Sequence, residues 1–496
     1  MKQKILFPFL ILYYYYTFTG VTATYGQSRE ITLTLDDAIA LAADSSLTAF
    51  RYKNMYRSSY WAYRSYRANR LPSLTLDLIP AQYYRNMTQR YDSENDMDLF
   101  REQQMFSASG GLSLRQNVDF LGGTLYANTE LDYLYNFGDT RYSQFSAIPF
   151  QIGYSQNLLG YNAYRWERKI EPLKYERARQ ELIYNIESLS GTVVDYFFSL
   201  ALAQANYDLA IRNAAATDTL CRVGERKHAI AAISQADLLT LRLDAVNARN
   251  SLQNARIELQ RAMHTLTTYL GLDKETIVKL TLPTIPELRS IDVDEALAYA
   301  KANNPSLLAH EQSILEAQQS VDRTSKELYF NASVNASIGF NQAGERIADA
   351  YHRPLAQNVV SVGVSVPLVD WGVRKGKLNM ARGNLNVVEI AAKQEEMSIE
   401  QEVTMAVGDS YVQHGLIESA SQAVQLAELA YTQTHRRFLI GEADVNALIL
   451  AQNRKQTAEQ NYIGALRSFW QTYYKLRRLT LHDFVQGRAI TYDMEP

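Results

Sequence analysis

The sequence predicts an α+β membrane protein with tandem duplicated halves, in which alternating strands join very long helices. Three observations predict it. No proline falls between Pro172 and Pro283, or between Pro367 and Pro496, although the 496 residues hold 11 prolines. An interior proline costs a helix about 3 kcal/mol, so such gaps favour long helices. The chain also repeats itself. And each half carries segments that alternate apolar and polar residues, as strands with one wet face do.

Composition narrows the classes further. Lys and Arg total 50 against 53 Asp and Glu, a net charge of −3, with no basic excess to bind nucleic acid. The single cysteine, Cys221, excludes a disulfide framework and a Cys-based zinc site. Residues 1–27 read as an export signal peptide. Lys2 and Lys4 precede an apolar core from Ile5 to Tyr16, and Gly20, Thr22, Ala23 and Gly26 follow. No cysteine stands there to carry a lipid, and no later apolar run is long enough to predict a membrane helix. The expected class is periplasmic, secreted, or an outer-membrane barrel.

The repeat sets the domains. Leu33–Ala42 resembles Ile291–Ala300, and both read as helix starts. Thr34 and Asp292 are the expected N-caps, with Asp37 and Glu295 three residues on to reach back. Further along, Gln156–Leu159 falls on Val366–Val369, and Leu238 on Leu448. The first repeat is expected over 28–280 and the second over 281–496. The spacing between equivalents shortens along the chain, which places an insertion in the first half between about 80 and 150.

Strands are expected at about 71–86, 147–158, 329–341 and 358–367. Val360, Val362, Val364 and Val366 oppose Ser361, Gly363 and Ser365. Leu74, Leu76 and Leu78 oppose Ser73, Thr75 and Asp77. Polar faces that are small and uncharged apart from Asp77 suit a water-filled lumen, and the lengths suffice to cross a bilayer when tilted. A soluble sandwich gives the same alternation. Four strands cannot close a pore, so several chains must share one barrel. In the insertion, Leu112 and Leu114 oppose Ser113 and Arg115. After a Gly122-Gly123 turn, Leu125, Ala127, Leu131, Tyr133 and Tyr135 share a face. The expectation for about 106–135 is an extracellular hairpin, since the second half lacks it. A further pair of barrel strands is the alternative.

Long helices are expected over about 161–270 and 372–478, each pair broken by one turn. Some 65 residues at 1.5 Å rise make roughly 100 Å. Leu378, Leu385, Val388, Ala392, Ile399, Val403 and Val407 step by threes, fours and sevens, as do Ile417, Ala420, Val424, Ala427 and Tyr431. That narrow stripe is a coiled-coil seam. The tyrosines divide in two. Tyr52, Tyr56, Tyr60, Tyr63 and Tyr66 follow helical spacing and read as packing residues. Tyr83, Tyr84, Tyr133, Tyr135 and Tyr154 suit an interfacial girdle.

Read together, LTLDDAIALA, the Asn303-Asn304-Pro305 segment, VSVPLVDWGVRKGKL and RRFLIGEADVNALILAQ resemble, in order and spacing, the TolC family of outer-membrane efflux proteins. The resemblance implies a homotrimer in the outer membrane whose shared, 12-stranded transmembrane β-barrel continues into a periplasmic α-helical coiled-coil barrel. It implies a passive export channel that meets a periplasmic adaptor (membrane fusion) protein and an inner-membrane pump of RND or ABC type. The other readings are the outer-membrane component of type I protein secretion and a non-transporting coiled-coil scaffold. No cofactor, metal or nucleic acid is expected.

The same resemblance points to the turns between the long helices. Asp237 falls on a family gate acid, while Ala447 and Leu450 occupy the matching positions of the second half. Phe438 stands at the gate tyrosine position and lacks its hydroxyl. The alternative role for Asp237 is a helix cap or a solvated face. Ala231, Ala232 and Ile233, with Gly441, Glu442 and Ala443, hold the adaptor-contacting positions. Gly441 suits a turn needing positive φ, and Ala231 is its counterpart. No catalytic residue is expected, since His310-Glu311 lacks the second histidine of a zinc-protease helix, and no nucleophile-elbow or phosphate-loop motif occurs.

Overall fold

The structure is a computed structural model that describes residues 30–93, 96–137, 141–158, 160–231, 233–284, 291–328, 330–440, 442–443 and 445–492. The expected signal segment 1–27 lies outside the described residues. The first half runs β1 (Glu30–Leu33), α1 (Leu35–Ser45), α2 (Leu47–Ala68), β2 (Ser73–Asp92), β3 (Met97–Val118), β4 (Gly123–Asn136), β5 (Tyr142–Leu158), α3 (Ala163–Ala229), α4 (Gln235–Leu270) and β6 (Ile277–Leu280). The second runs α5 (Val293–Asn303), α6 (Pro305–Lys326), β7 (Asn331–Gly344), α7 (Ile347–Tyr351), β8 (Leu355–Ser365), α8 (Val373–Leu439), α9 (Val445–Thr480), β9 (His482–Asp483) and β10 (Arg488–Ala489). Element lengths recur between the halves. α1 and α5 have 11 residues, α2 and α6 have 22, α3 and α8 have 67, and α4 and α9 have 36.

The chain forms two compact units. The smaller contains the segment ending at Ala38 and residues Ser199–Pro283. In it, β1 pairs in parallel with β6, from Glu30 against Ile277 to Leu33 against Leu280. Thr34 caps α1 as expected. Its Oγ1 accepts from the Asp37 amide at 3.2 Å, and Asp37 Oδ2 accepts from the Thr34 amide and hydroxyl. Those hydrogen bonds, the hydroxyl's above all, hold the Asp37 carboxyl below its ordinary pKa. Ion pairs Arg242–Glu225 (3.0 Å) and Arg249–Asp218 (2.9 Å) tie α4 to the end of α3.

In the larger unit, six of the described strands form one antiparallel sheet in the order β2-β3-β4-β5-β7-β8. The predicted seam of α8 is buried or half-buried at every one of its positions from Leu378 to Tyr431. Ile399, Val403, Ala406 and Val407 pack with Ala296 and Ala300 of α5 and with Leu476 and Leu479 of α9. Helix packing also accounts for the first tyrosine group. The ring of Tyr63 stacks on Tyr175 of α3 at 4.8 Å, and the Tyr56 and Tyr175 hydroxyls meet at 3.1 Å. Burial, together with that hydrogen bond, pushes the Tyr56 phenol up to about 12. A stretch of α3 is apolar enough to cross a membrane, but 61% of it is buried, which identifies it as core.

Asn304 shows how local sequence sets the helix register. Its Oδ1 accepts from the Ser306 amide at 2.9 Å and caps α6, with Pro305 at the first helical position. Its Nδ2 donates to the Leu479 carbonyl at 3.3 Å, and Asn303 donates to Thr480. One buried side chain thus satisfies a helix start and a helix end. Asn304→Ala removes the cap and leaves a buried carbonyl unpaired, and should cost about 2 kcal/mol in a denaturation experiment, while Asn303→Ala costs less.

Candidate channel wall and helix tips

The register fixes which side chains share a face of the sheet. Leu74 pairs with Leu114, then Ala127, Ile152 and Ile338 across five strands. Val334 pairs with Val362 and Ala336 with Val360 on that same face. Its large residues are exposed, Leu74 by 68% and Val360 by 77%. A contiguous apolar surface of this extent on a folded chain marks a lipid or protein contact. Toward the end remote from the helices the face turns aromatic. Tyr133 packs with Phe106 and Phe145, and Phe137 packs with Tyr83 and Tyr135. An apolar band bordered by aromatic rings is the pattern carried by the lipid-facing side of membrane barrels.

The opposite face is polar, with Ser73, Thr75, Ser113, Asn128, Gln151, Ser337 and Ser361. The inserted strands add charge to this face, with Arg115 on β3 and Glu130 and Asp132 on β4. Asp77 pairs with Gly111, which pairs with Glu130, so two acids flank a glycine at one level of the sheet. A Cβ on Gly111 would stand 2.9 Å from the Thr129 carbonyl, so the close approach of β4 requires glycine.

The segment 106–135 does not stand apart as a separate hairpin. β3 and β4 pair along their length between β2 and β5, so these residues are strands of the sheet itself. Their turn lies at the helix end. Arg70 at the end of α2 forms an ion pair with Asp119, Gln116 Nε2 donates to the Arg70 carbonyl at 2.8 Å, and Asn162 Nδ2 donates to the Asp119 carbonyl at 2.9 Å. Gly122, at φ +77°, closes that turn as the glycine pair predicts. The part that does project is elsewhere. Arg85–Asp92 pairs with Met97–Gln104, beyond the last β3–β4 pair at Met105 and Asn136.

Strand passes into helix at Asp370. Its Oδ1 accepts from the Gly372 amide at 3.0 Å and its Oδ2 from the Arg374 amide at 3.2 Å, which holds its pKa down. Trp371 (φ +54°) and Gly372 (φ +85°) make the bend, and Trp371 is 94% exposed.

The candidate tip residues divide between the two units. In the smaller unit, Ala231 and Ile233 follow α3, and Asp237 lies in the first turn of α4 with its side chain outside the described residues. Ala232 also lies outside them. Ala231 takes φ +55° and its amide donates to the His228 carbonyl at 2.9 Å, while His228 Nδ1 sits 3.2 Å from the Ile233 carbonyl. The turn is thus left-handed without a glycine. In the larger unit, Phe438 is in the last turn of α8, its side chain outside the described residues, as is Gly441. Glu442 is exposed, its amide donates to the Arg437 carbonyl at 2.8 Å, and Ala443 is half-buried. An L-residue at positive φ costs about 1–2 kcal/mol, only partly offset by the entropy glycine loses, so Ala231→Gly should stabilise the turn by under about 1 kcal/mol, read as slower amide exchange over 228–236.

One constellation escaped sequence reasoning. The Arg477 guanidinium of α9 lies 2.9 Å from Glu187 of α3 and 3.1 Å from Asp483 of β9. Tyr492 donates to Glu187 at 2.7 Å, and Tyr473 to Asp483 at 2.9 Å. The Glu187 side chain is wholly buried. Burial raises its pKa, against Arg477, which lowers it. Burial also opposes the Arg477 charge, but Glu187 and the surrounding tyrosines and Asp483 outweigh it, and Arg477 stays protonated. The only hint in the sequence is an acid beside Ile186 inside an apolar helical stretch. Arg477→Ala should cost about 3–5 kcal/mol by thermal denaturation, because it strands two buried carboxylates, whereas Arg477→Ala with Glu187→Gln should recover part of that loss.

An exposed, belted sheet continuous with coiled-coil helices defines a class of outer-membrane channel subunits. Residues 296–480 match the family model described as outer membrane efflux protein. The chain is 21% identical over 228 residues to toxin and drug export protein A of Aggregatibacter actinomycetemcomitans, covering 44% of this chain and 48% of that one. It is 23% identical over 292 residues to the cobalt-zinc-cadmium resistance protein CzcC of Cupriavidus metallidurans, covering 59% and 67%. The chain thus spans about half of the first relative and two thirds of the second. The fold is similar to the CmeC outer membrane channel of Campylobacter jejuni, with a TM-score of 0.65 at 12% identity over 93% of this chain and 87% of that one. VceC of Vibrio cholerae gives 0.62 at 15%, over 90% and 95%. Residues 296–480 thus match the outer membrane efflux protein family, and the chain shares its fold with these solved outer membrane channels.

Proposed function

We propose that three copies of the chain form a passive export channel in the outer membrane. The sheets share one transmembrane barrel and the long helices form a periplasmic conduit to an adaptor protein and an inner-membrane pump. The observation that carries this reading is the exposed apolar face running across six strands whose outer edges, β2 and β8, have no partner among the described strands. Such a sheet is unstable alone in water or lipid and is completed by further copies. α8 supports the same reading. Besides its buried seam it carries a second apolar stripe, Met380, Val387, Ile390, Met397, Met405 and Val412, all exposed in one chain. A helix with a neighbour on each side, as in a ring of helices, needs two such stripes.

The conduit performs no chemistry. Transport is diffusion through a wetted lumen, driven by the pump that loads it. The names of the relatives point to toxins, drugs and divalent metals as cargo of such systems, and protein secretion is the second version of the same channel. Asp237 narrows the inner end as a ring of three carboxylates, which would repel one another and attract cations. Ala231, Ala232, Ile233, Gly441, Glu442 and Ala443 meet the adaptor. Detergent extracts of outer membranes should yield a species of three chains that conducts ions in planar bilayers, and Asp237→Ala should weaken block by divalent cations. A water-soluble monomer without conductance contradicts the channel, and unchanged block in Asp237→Ala removes that residue from the gate.

A further inference from the structure

The strand count separates this chain from the barrel that the family resemblance implies. Six of the described strands of the chain form one sheet, not four. We propose that the membrane wall of the assembled channel has 18 strands, closed by β8 of one copy against β2 of the next. This inference rests on the trimeric reading and goes beyond it.

Three features of the sheet permit that closure. First, direction: neighbours alternate up and down through six strands, so β8 and the next β2 run antiparallel, as an even number requires. Second, register: straight across the sheet, Ser73 at the start of β2 leads through Arg115, Tyr126, Gly153 and Ser337 to Val359 of β8. β8 continues six residues past Val359 to Ser365 before the chain turns into α8. Setting Ser365 level with Ser73, each the strand end nearest a helix, therefore slips the sheet by six residues per copy. A slip of six residues at about 3.3 Å across six strands about 4.8 Å apart tilts the strands by roughly 35°, at the edge of the range closed barrels adopt. Third, parity: six is even, so Ser73 and Ser365 fall on the same polar face, and the valines of β8 continue the leucine face of β2. An odd slip would have put lipid-facing residues in the lumen.

The lock at the helix end holds the two extra strands in the wall. Arg70, Gln116, Asp119 and Asn162 anchor the β3–β4 turn beside the ends of α2 and α3, where wall strands turn. Barrel diameter grows roughly with strand number, so this wall is about one and a half times as wide as a 12-stranded one. The membrane section then passes bulkier solutes, and selection by size falls to the helices.

Disulfide trapping tests the closure in full-length protein carrying Cys221→Ser. Ser73→Cys with Ser365→Cys should give a covalent trimer on oxidation, lost on reduction. Thr124→Cys with Ser365→Cys reports the alternative, a 12-stranded wall in which β8 meets β4 and the β2–β3 arm lies outside. Native mass measured beside the gels keeps the two readings apart. A trimer linked through 73 and 365 supports 18 strands. A trimer linked through 124 and 365, or through neither pair, overturns them while leaving the trimer standing. A species that is not trimeric by mass overturns the trimeric reading, and the strand count falls with it.

Discussion

The proposed assembly depends on one requirement: a sheet with an exposed apolar face and two edges, β2 and β8, that have no partner among the described strands. Backbone amides and carbonyls along β2 and β8 have no water to bind if the face beside them sits in lipid, and a flat sheet cannot hide them. In the proposed channel, closure by further copies would satisfy both edges at once. The polar face would then turn inward around water, and the aromatic residues near Tyr133 and Phe137 would come to the level of the headgroups.

The helices answer the same requirement by different means. A helix satisfies its own backbone, so α3 and α8 need only bury stripes. The two stripes of α8 suit neighbours on either side, and the narrowness of each leaves the rest of its surface wet. Order along these helices is held at a few polar points where packing alone would permit sliding. Asn304 couples the start of α6 to the end of α9. Arg477 couples α9, Glu187 of α3 and Asp483 of β9. Buried polar groups of this kind fix register because any slip leaves a charge or amide unpaired.

Much of this was legible in the sequence, for reasons that can be named. The seam from Leu378 to Tyr431 was readable because coiled-coil burial has a strict period. The Thr34–Asp37 cap was readable because its chemistry is local, and the proline gaps marked the helix pairs because proline is excluded from helix interiors with few exceptions, of which Pro172 inside α3 is one. What escaped depends on distance along the chain. Alternation over 106–135 is the same for a free hairpin and for two wall strands. The pairing of β3 with β2 and of β4 with β5 decides between them, and the contacts of Asp119 with Arg70 and Asn162 fix the turn, with all these partners distant in the sequence. Glu187 and Arg477 lie 290 residues apart, and neither residue type signals burial. Of the tip residues carried over from the family, Ala231, Ile233, Glu442 and Ala443 lie between the long helices, Asp237 and Phe438 lie within helices, and Ala232 and Gly441 lie outside the described residues. The left-handed Ala231 was beyond sequence pattern, since alanine gives no warning of positive φ.

The most direct test of the account is an electron-microscopy map of the protein extracted from outer membranes into lipid nanodiscs. The account predicts three chains around one axis, with every β8 edge paired to the β2 of its neighbour and a continuous aqueous lumen inside the bilayer. Single chains, or sheets with free edges and no lumen, would contradict it.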